Sequence, residues 1–78
     1  MDDIQENDLV VLLVEKPESG LLRGDVGTVI QVFESTADHP AGFIIEFVDE
    51  SGNVKAETDI TDRTQIVKLR LRLALEAA

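Results

Sequence analysis

The chain has 78 residues, 16 of them acidic and 7 basic, for a net charge of −9. An acid excess of that size opposes binding to phosphate backbones and anionic lipid, which takes clustered Lys and Arg. Cysteine is absent, which excludes disulfides and thiolate zinc sites and suits a reducing compartment.

The length implies one domain over residues 1–78, near the lower limit for a chain that folds without covalent or metal staples. No apolar run approaches the roughly 20 residues of a bilayer span. The acidic start Met1-Asp2-Asp3 does not read as a secretory signal, so the expected location is cytoplasmic. Charge is unevenly placed. Residues 1–62 hold 15 acids and 3 bases, whereas residues 63–78 hold four bases (Arg63, Lys68, Arg70, Arg72) and one acid, Glu76. The simplest use of that basic end is to cover an acidic neighbour within the fold.

Residues 1–7 read as an N-terminal arm. Leu9 to Val14 is apolar on both parities and predicts a strand that pairs centrally or is buried on both faces. Glu15 to Gly20 is a loop in which Pro17 pre-sets φ and Gly20 can close the turn. Leu21 and Leu22 are expected to fold back as a lid on an open barrel end. The stretch Gly20-Leu21-Leu22-Arg23-Gly24-Asp25-Val26-Gly27 is a turn feeding a second strand, Val26 to Phe33, with Gly20, Gly24, Asp25 and Gly27 as structural turn residues. Gly27 inside that strand predicts a bulge, which leaves the inward parity of Val29 and Ile30 open.

Glu34 to Ala41 is a polar loop. Gly42 to Val48 alternates, with Phe43, Ile45 and Phe47 on one face. Asp49 to Gly52 is a turn, and Asn53 to Ile60 a strand with Val54, Ala56, Thr58 and Ile60 on the core parity. Placing Val48 opposite Asn53 sets Phe47 against Val54 and Ile45 against Ala56. It also sets Glu46 against Lys55 on the outer side. Thr61 to Thr64 predicts one short helical or 3-10 turn near residues 61–64. From Ile66 to about Leu73 a closing strand is expected, because Val67, Leu69, Leu71, Leu73 and Leu75 fall on every second position. Residues 74–78 are a tail of good helix formers.

Little here supports catalysis. His39 is the single histidine and lies in a loop, so with no Cys a Ser-His-Asp or Cys-His set has no obvious members. It cannot form a usual zinc site either. Asp49-x-Ser51-x-Asn53 has calcium-like oxygen spacing, but its glycine and twelfth residue depart from the loop pattern, and a hairpin turn accounts for it. Phosphate-binding glycine motifs are absent. There are three Phe and no Trp or Tyr, a poor stacking platform for single-stranded nucleic acid. The expectation is a non-enzyme with no catalytic residues, no cofactor and no metal.

Leu12-Leu13-x-Glu15-x-Pro17-Glu18-x-Gly20-Leu21-x-x-Gly24-Asp25-x-Gly27-Thr28-Val29, followed by Phe43-x-Ile45-Glu46-Phe47-Val48-Asp49-Glu50-x-Gly52, resembles a short bacterial family of unknown function. Its pattern is roughly LPExGLxxGDxGTVV…YEVEFVDxxG. Lys16 stands where that family usually has Leu, and Phe43 where it often has Tyr. The resemblance covers about residues 9–60 and implies a small SH3-like β-barrel. It carries over no catalytic residue. Members often look like accessory partners of neighbouring genes, of immunity or antitoxin type, an association that attaches to no residue here. A looser similarity joins Gly24-Asp25-x-Gly27-x-Val29 to KOW-type modules of ribosomal and transcription proteins, which are generally basic.

The fold expected is therefore all-β: a small five-stranded, antiparallel, partly open barrel of SH3-like type, supported independently by short strands at regular turn spacing. The function expected is a protein-interaction module. The leucine alternation runs past the length a closing strand needs, so Lys68, Leu69, Arg70, Leu71, Arg72, Leu73 and Leu75 form the candidate partner interface. The expected partner is another protein chain, most simply a second copy reached through the C-terminal strand by strand addition. The alternative is a KOW-like nucleic-acid or ribosome-associated module using Arg63, Lys68, Arg70 and Arg72. Membrane partners are not expected.

Overall fold

The computed structural model of the chain describes residues 4–70. Among these residues five strands form one antiparallel sheet: β1 (Leu9–Leu12), β2 (Val26–Phe33), β3 (Gly42–Val48), β4 (Val54–Ile60) and β5 (Ile66–Lys68). Their spatial order is β4-β3-β2-β1-β5. Two 3-10 turns, Pro17–Ser19 and Arg63–Gln65, interrupt the connections. The all-β architecture and the helical turn after β4 follow the sequence expectation.

One face of the sheet makes the core. Val10 and Leu12 of β1, Val29 of β2, Ile45 and Phe47 of β3, Ile60 of β4 and Ile66 of β5 are all buried, together with Leu21 and Ile4. Full burial of such a side chain stabilises the fold by roughly 1.5–3 kcal/mol, which makes this cluster the main source of stability. Ile4 belongs to the expected arm, yet it reaches the core. The chain after it is pinned by two backbone bonds to β2, Asn7 N–H to the Val29 carbonyl at 2.7 Å and Val29 N–H to the Asp8 carbonyl at 2.9 Å.

Four expectations need correction. β1 is paired on both edges, by β2 and β5, as the first of its two expected readings had it, but it ends at Leu12 instead of Val14 and is buried on one face, with Leu9 and Leu13 exposed. The bulge in β2 is not at Gly27. The ladder steps from Val29 opposite Ile45 to Gln31 opposite Ile44, so Ile30 is the extra residue, and Val29 points inward. Gly27 is needed for a different reason: a Cβ there would lie 2.6 Å from Ile45 Cγ2 and 2.8 Å from Phe47 Cε1. Only a hydrogen fits beneath those two core side chains.

The β3–β4 hairpin is the third correction. Phe47 pairs with Ala56, Ile45 with Thr58 and Phe43 with Ile60, two positions from the expected register. The turn closes one residue later, with the Asp49 N–H donating to the Asn53 carbonyl at 2.9 Å. A bulge adds the second residue, since Val48 faces Val54 while Phe47 faces Ala56, which leaves Lys55 unmatched. The even total keeps Ala56, Thr58 and Ile60 on the core parity. Val54 lies beyond the bulge and is turned outward.

The fourth concerns the closing strand, which among the described residues ends at Lys68. Ile66 pairs with Leu12 and Lys68 with Val10, on the core side, so the stripe begun by Val67 and Leu69 lies on the outer face. Leu71 to Leu75 lie outside the described residues.

Candidate interaction surface

The chain first builds the connection that carries β1 into β2. The 3-10 turn Pro17–Ser19 ends at Gly20, which is left-handed and donates its N–H to the Pro17 carbonyl at 3.0 Å. Leu21 is buried, as a lid residue should be, but Leu22 is not: it stands exposed beside β3. Leu22 to Asp25 is a four-residue turn closed by the Asp25 N–H to the Leu22 carbonyl at 3.0 Å, with Gly24 at φ +97° in its third position. Gly24 also donates its N–H to the Leu12 carbonyl at 2.7 Å, and Leu12 returns one to the Asp25 carbonyl at 2.8 Å. The Asp25 carboxylate accepts from the Leu22 N–H at 2.9 Å and from Lys55 Nζ at 3.0 Å. Those two bonds, the backbone one first, hold its pKa below the ordinary aspartate range. Lys55, released from the ladder by its bulge, thus bridges β4 to the loop before β2.

The outer face of the sheet is where the strands act together. Val67 of β5 lies opposite Val11 of β1, and Val11 opposite Val26 of β2. Gly27 pairs with Phe47, so Val26 lies beside Val48, and Val48 in turn faces Val54 of β4. Each strand gives one valine to a single row that crosses the whole sheet. Val67, Val26, Val48 and Val54 are 43, 41, 47 and 60 % exposed. Val11, between two of them, is half-buried. Exposed Leu9 and Leu13 flank the β1 end, and at the β3 end a cleft of about 560 Å³ is lined by Leu22, Val48, Asp25 and Lys55 among others. Contiguous exposed apolar surface of this kind marks a contact site more often than scattered single residues do.

Beside the valines, the row is polar from β2 to β4. Leu9 faces Thr28, Thr28 faces Glu46, and Glu46 faces Glu57. Glu46 was expected to meet Lys55; the observed register sets two carboxylates opposite each other instead.

Of the residues expected at a partner interface, Lys68 lies on the core parity and pairs with Asp8 Oδ2 at 3.2 Å. Leu69 is half-buried and donates its N–H to the Leu9 carbonyl at 2.9 Å, and Arg70 is exposed. Leu71, Arg72, Leu73 and Leu75 lie outside the described residues. The valine row is not visible in any one strand's sequence, and the expected hairpin register sets Val54 on the core side.

The remaining polar features have structural uses. Asp49 Oδ1 accepts from the N–H groups of Ser51 and Asn53 at 2.9 and 3.0 Å, so the calcium-like spacing serves the turn. His39 Nδ1 lies 2.6 Å from the Pro40 carbonyl and Nε2 3.3 Å from Asp59, with its ring edge-on to Phe33. Among the described residues no three or more His, Asp or Glu gather as a metal site requires. No helix among them is long and apolar enough to cross a membrane.

A family model, a domain of unknown function (DUF4926), matches residues 6–64. The chain belongs to that family. The match ends before β5, so the strand that completes the valine row, like the leucine alternation after it, lies beyond the shared part. No curated protein and no solved structure matches the chain.

Proposed function

We propose that this domain is a non-enzymatic protein-interaction module and that its contact surface is the outer face of the sheet. The observation that carries the reading is the row of five valines, one from each strand. Burial of a fully covered valine is worth about 1.5–3 kcal/mol, and a row of exposed valines forgoes most of that until a second surface covers it. A solvated antiparallel sheet ordinarily alternates apolar-in with polar-out, and this row departs from that pattern. The role is that of an accessory partner to another chain, in a reducing, cytoplasmic setting that suits a chain without cysteine. As part of this reading the sheet curls as the partly open SH3-like barrel that the family resemblance implies.

The test is paired capture. The tagged wild-type chain, in extract from the cells that express it natively, should retain a partner chain at stoichiometric yield. Val26→Lys with Val54→Lys places two charges in the row without touching the core. The double variant should lose that partner while its melting temperature stays within a few degrees of wild type. Equal recovery by the two chains overturns the reading.

A further inference from the structure

We propose that the valine row receives the leucine-rich C-terminal segment, residues 70–75, of a second copy of this chain. The inference rests on the outer face being a contact surface and names its occupant.

Three observations select that occupant. The first is the end of the chain's own sheet. Leu69 is tied to Leu9, the first residue of β1. Before Leu9 the chain turns away: Asn7 is left-handed at φ +75°, and the Asp8 N–H donates to the Gln5 carbonyl at 3.1 Å. Among the described residues, no strand extends β1 past Leu9 for the sequence after Leu69 to pair with. The alternation set by Val67 and Leu69 nevertheless goes on through Leu71, Leu73 and Leu75.

The second is the lack of residues that favour a tight reversal. Residues 69–78 contain no Gly, Pro, Asn, Asp or Ser, the residues that make tight turns. A return across the chain's own outer face would need such a turn at once after Arg70. A second copy needs none.

The third is charge. The segment from 63 onward is basic, and residues 1–62 hold 15 acids against 3 bases. Arg70 and Arg72 alternate with the leucines, while Glu46 and Glu57 stand opposite each other in the row beside the valines. Two sheet faces packed directly together would set those carboxylates against their own copies, whereas a basic segment laid on the face offsets them.

Length permits the fit. The row crosses four inter-strand gaps, about 19 Å at the usual strand spacing. The six residues 70–75, extended, reach about 20–22 Å. Simple strand addition at the β5 edge would pair backbone groups but leave both the leucines and the valine row in water. Laying the segment on the face covers the two apolar stripes with one contact. Reciprocal exchange between two copies gives a closed, two-fold dimer.

The experiment is complementation followed by sedimentation velocity. It uses the full chain, a chain ending at Arg70, and the Val26→Lys/Val54→Lys face variant, each with a melting curve as a fold control. Should the double variant fail to melt cooperatively, Val54→Lys alone replaces it, because Val54 is the most exposed of the row and lies on an edge strand. The full chain should sediment as a dimer and each variant as a monomer. An equimolar mixture of the two variants should form a heterodimer, since one supplies an intact face and the other an intact segment. A monomeric full chain, a truncated chain that still dimerises, or a mixture that forms no heterodimer even at concentrations raised to offset its single contact in place of two each overturns the inference. If the full chain is monomeric yet the face variant loses a captured partner, the contact-surface reading stands and only the second-copy occupant falls.

Discussion

At Gly27 a methyl group would press against Ile45 Cγ2 and Phe47 Cε1 at 2.6 and 2.8 Å, both core side chains with no room to retreat. At Gly24 a Cβ meets nothing within 4 Å, but φ is +97°, a conformation that side chains rarely adopt. The two glycines, one two positions before β2 and the other its second residue, thus fail differently. Gly27→Ala should lower stability by about 1–3 kcal/mol through overpacking. Gly24→Ala should cost about 1 kcal/mol through backbone strain, part of it recovered by Gly24→Asn because Asn tolerates left-handed φ. Urea unfolding of the four chains would check this. A Gly27→Ala variant as stable as wild type would mean that the core has slack there. Both glycines were legible in the sequence as backbone devices. The kind of device at Gly27 was not, because a bulge and a close approach call for the same residue. The side chains that decide between them, Ile45 and Phe47, are distant in the chain.

The β3–β4 hairpin shows what alternation can and cannot specify. The inward face of β3 followed from Phe43, Ile45 and Phe47, and the core parity of Ala56, Thr58 and Ile60 also held. Register did not follow, because a longer turn and a bulge each add one residue, and two such steps leave the parity of those positions unchanged. The bulge releases Lys55 to Asp25 and brings Glu46 and Glu57 face to face. Like charges directly opposite on a sheet are destabilising, and opposite charges there contribute roughly 0.2–1 kcal/mol. Glu57→Lys should therefore raise stability by about 0.5 kcal/mol in chemical denaturation at low salt, with the gain shrinking as salt is added. Because the chain carries a net charge of −9, a Glu→Lys change at an exposed site with no facing carboxylate, Glu34→Lys, is the control for general relief of self-repulsion. Under the register that paired Glu46 with Lys55, Glu57→Lys would gain no more than that control. The same bulge explains why the candidate surface escaped a strand-by-strand reading. Val54 joins the outer row only because Lys55 is looped out, and the row itself assembles from Val11, Val26, Val48, Val54 and Val67, each an ordinary strand valine when read alone.

Across the whole molecule, three aspartates clip the connections to the sheet. Asp8 accepts from the Gln5 N–H and pairs with Lys68, joining the turn before β1 to β5. Asp25 joins the loop before β2 to β4 through Lys55. Asp62 accepts from both the N–H and the hydroxyl of Thr64, at 3.0 and 2.6 Å, and caps the last 3-10 turn. All three have pKa values below the ordinary aspartate range: Asp8 chiefly through the Gln5 N–H, Asp25 through the Leu22 N–H and Asp62 through the Thr64 hydroxyl. A carboxylate whose pKa is lower folded than unfolded binds its proton more weakly in the native state. Its stabilisation is complete above the unfolded value, near pH 4, and is lost as pH falls through the folded value. The acid excess acts in the other direction, since protonation relieves self-repulsion, so the wild-type curve alone mixes two effects. A difference measurement separates them. The stability of wild type minus that of Asp25→Asn, each from chemical denaturation, should stay level from about pH 7 to 5 and then shrink below about pH 4. Asp8→Asn should behave alike, because the Gln5 and Lys68 contacts act on the ionised form. An advantage that grew on acidification would mean that the carboxylates are held protonated in the fold, contrary to their donors. A difference level down to pH 2 would mean that the ionised clips do not hold these connections at all.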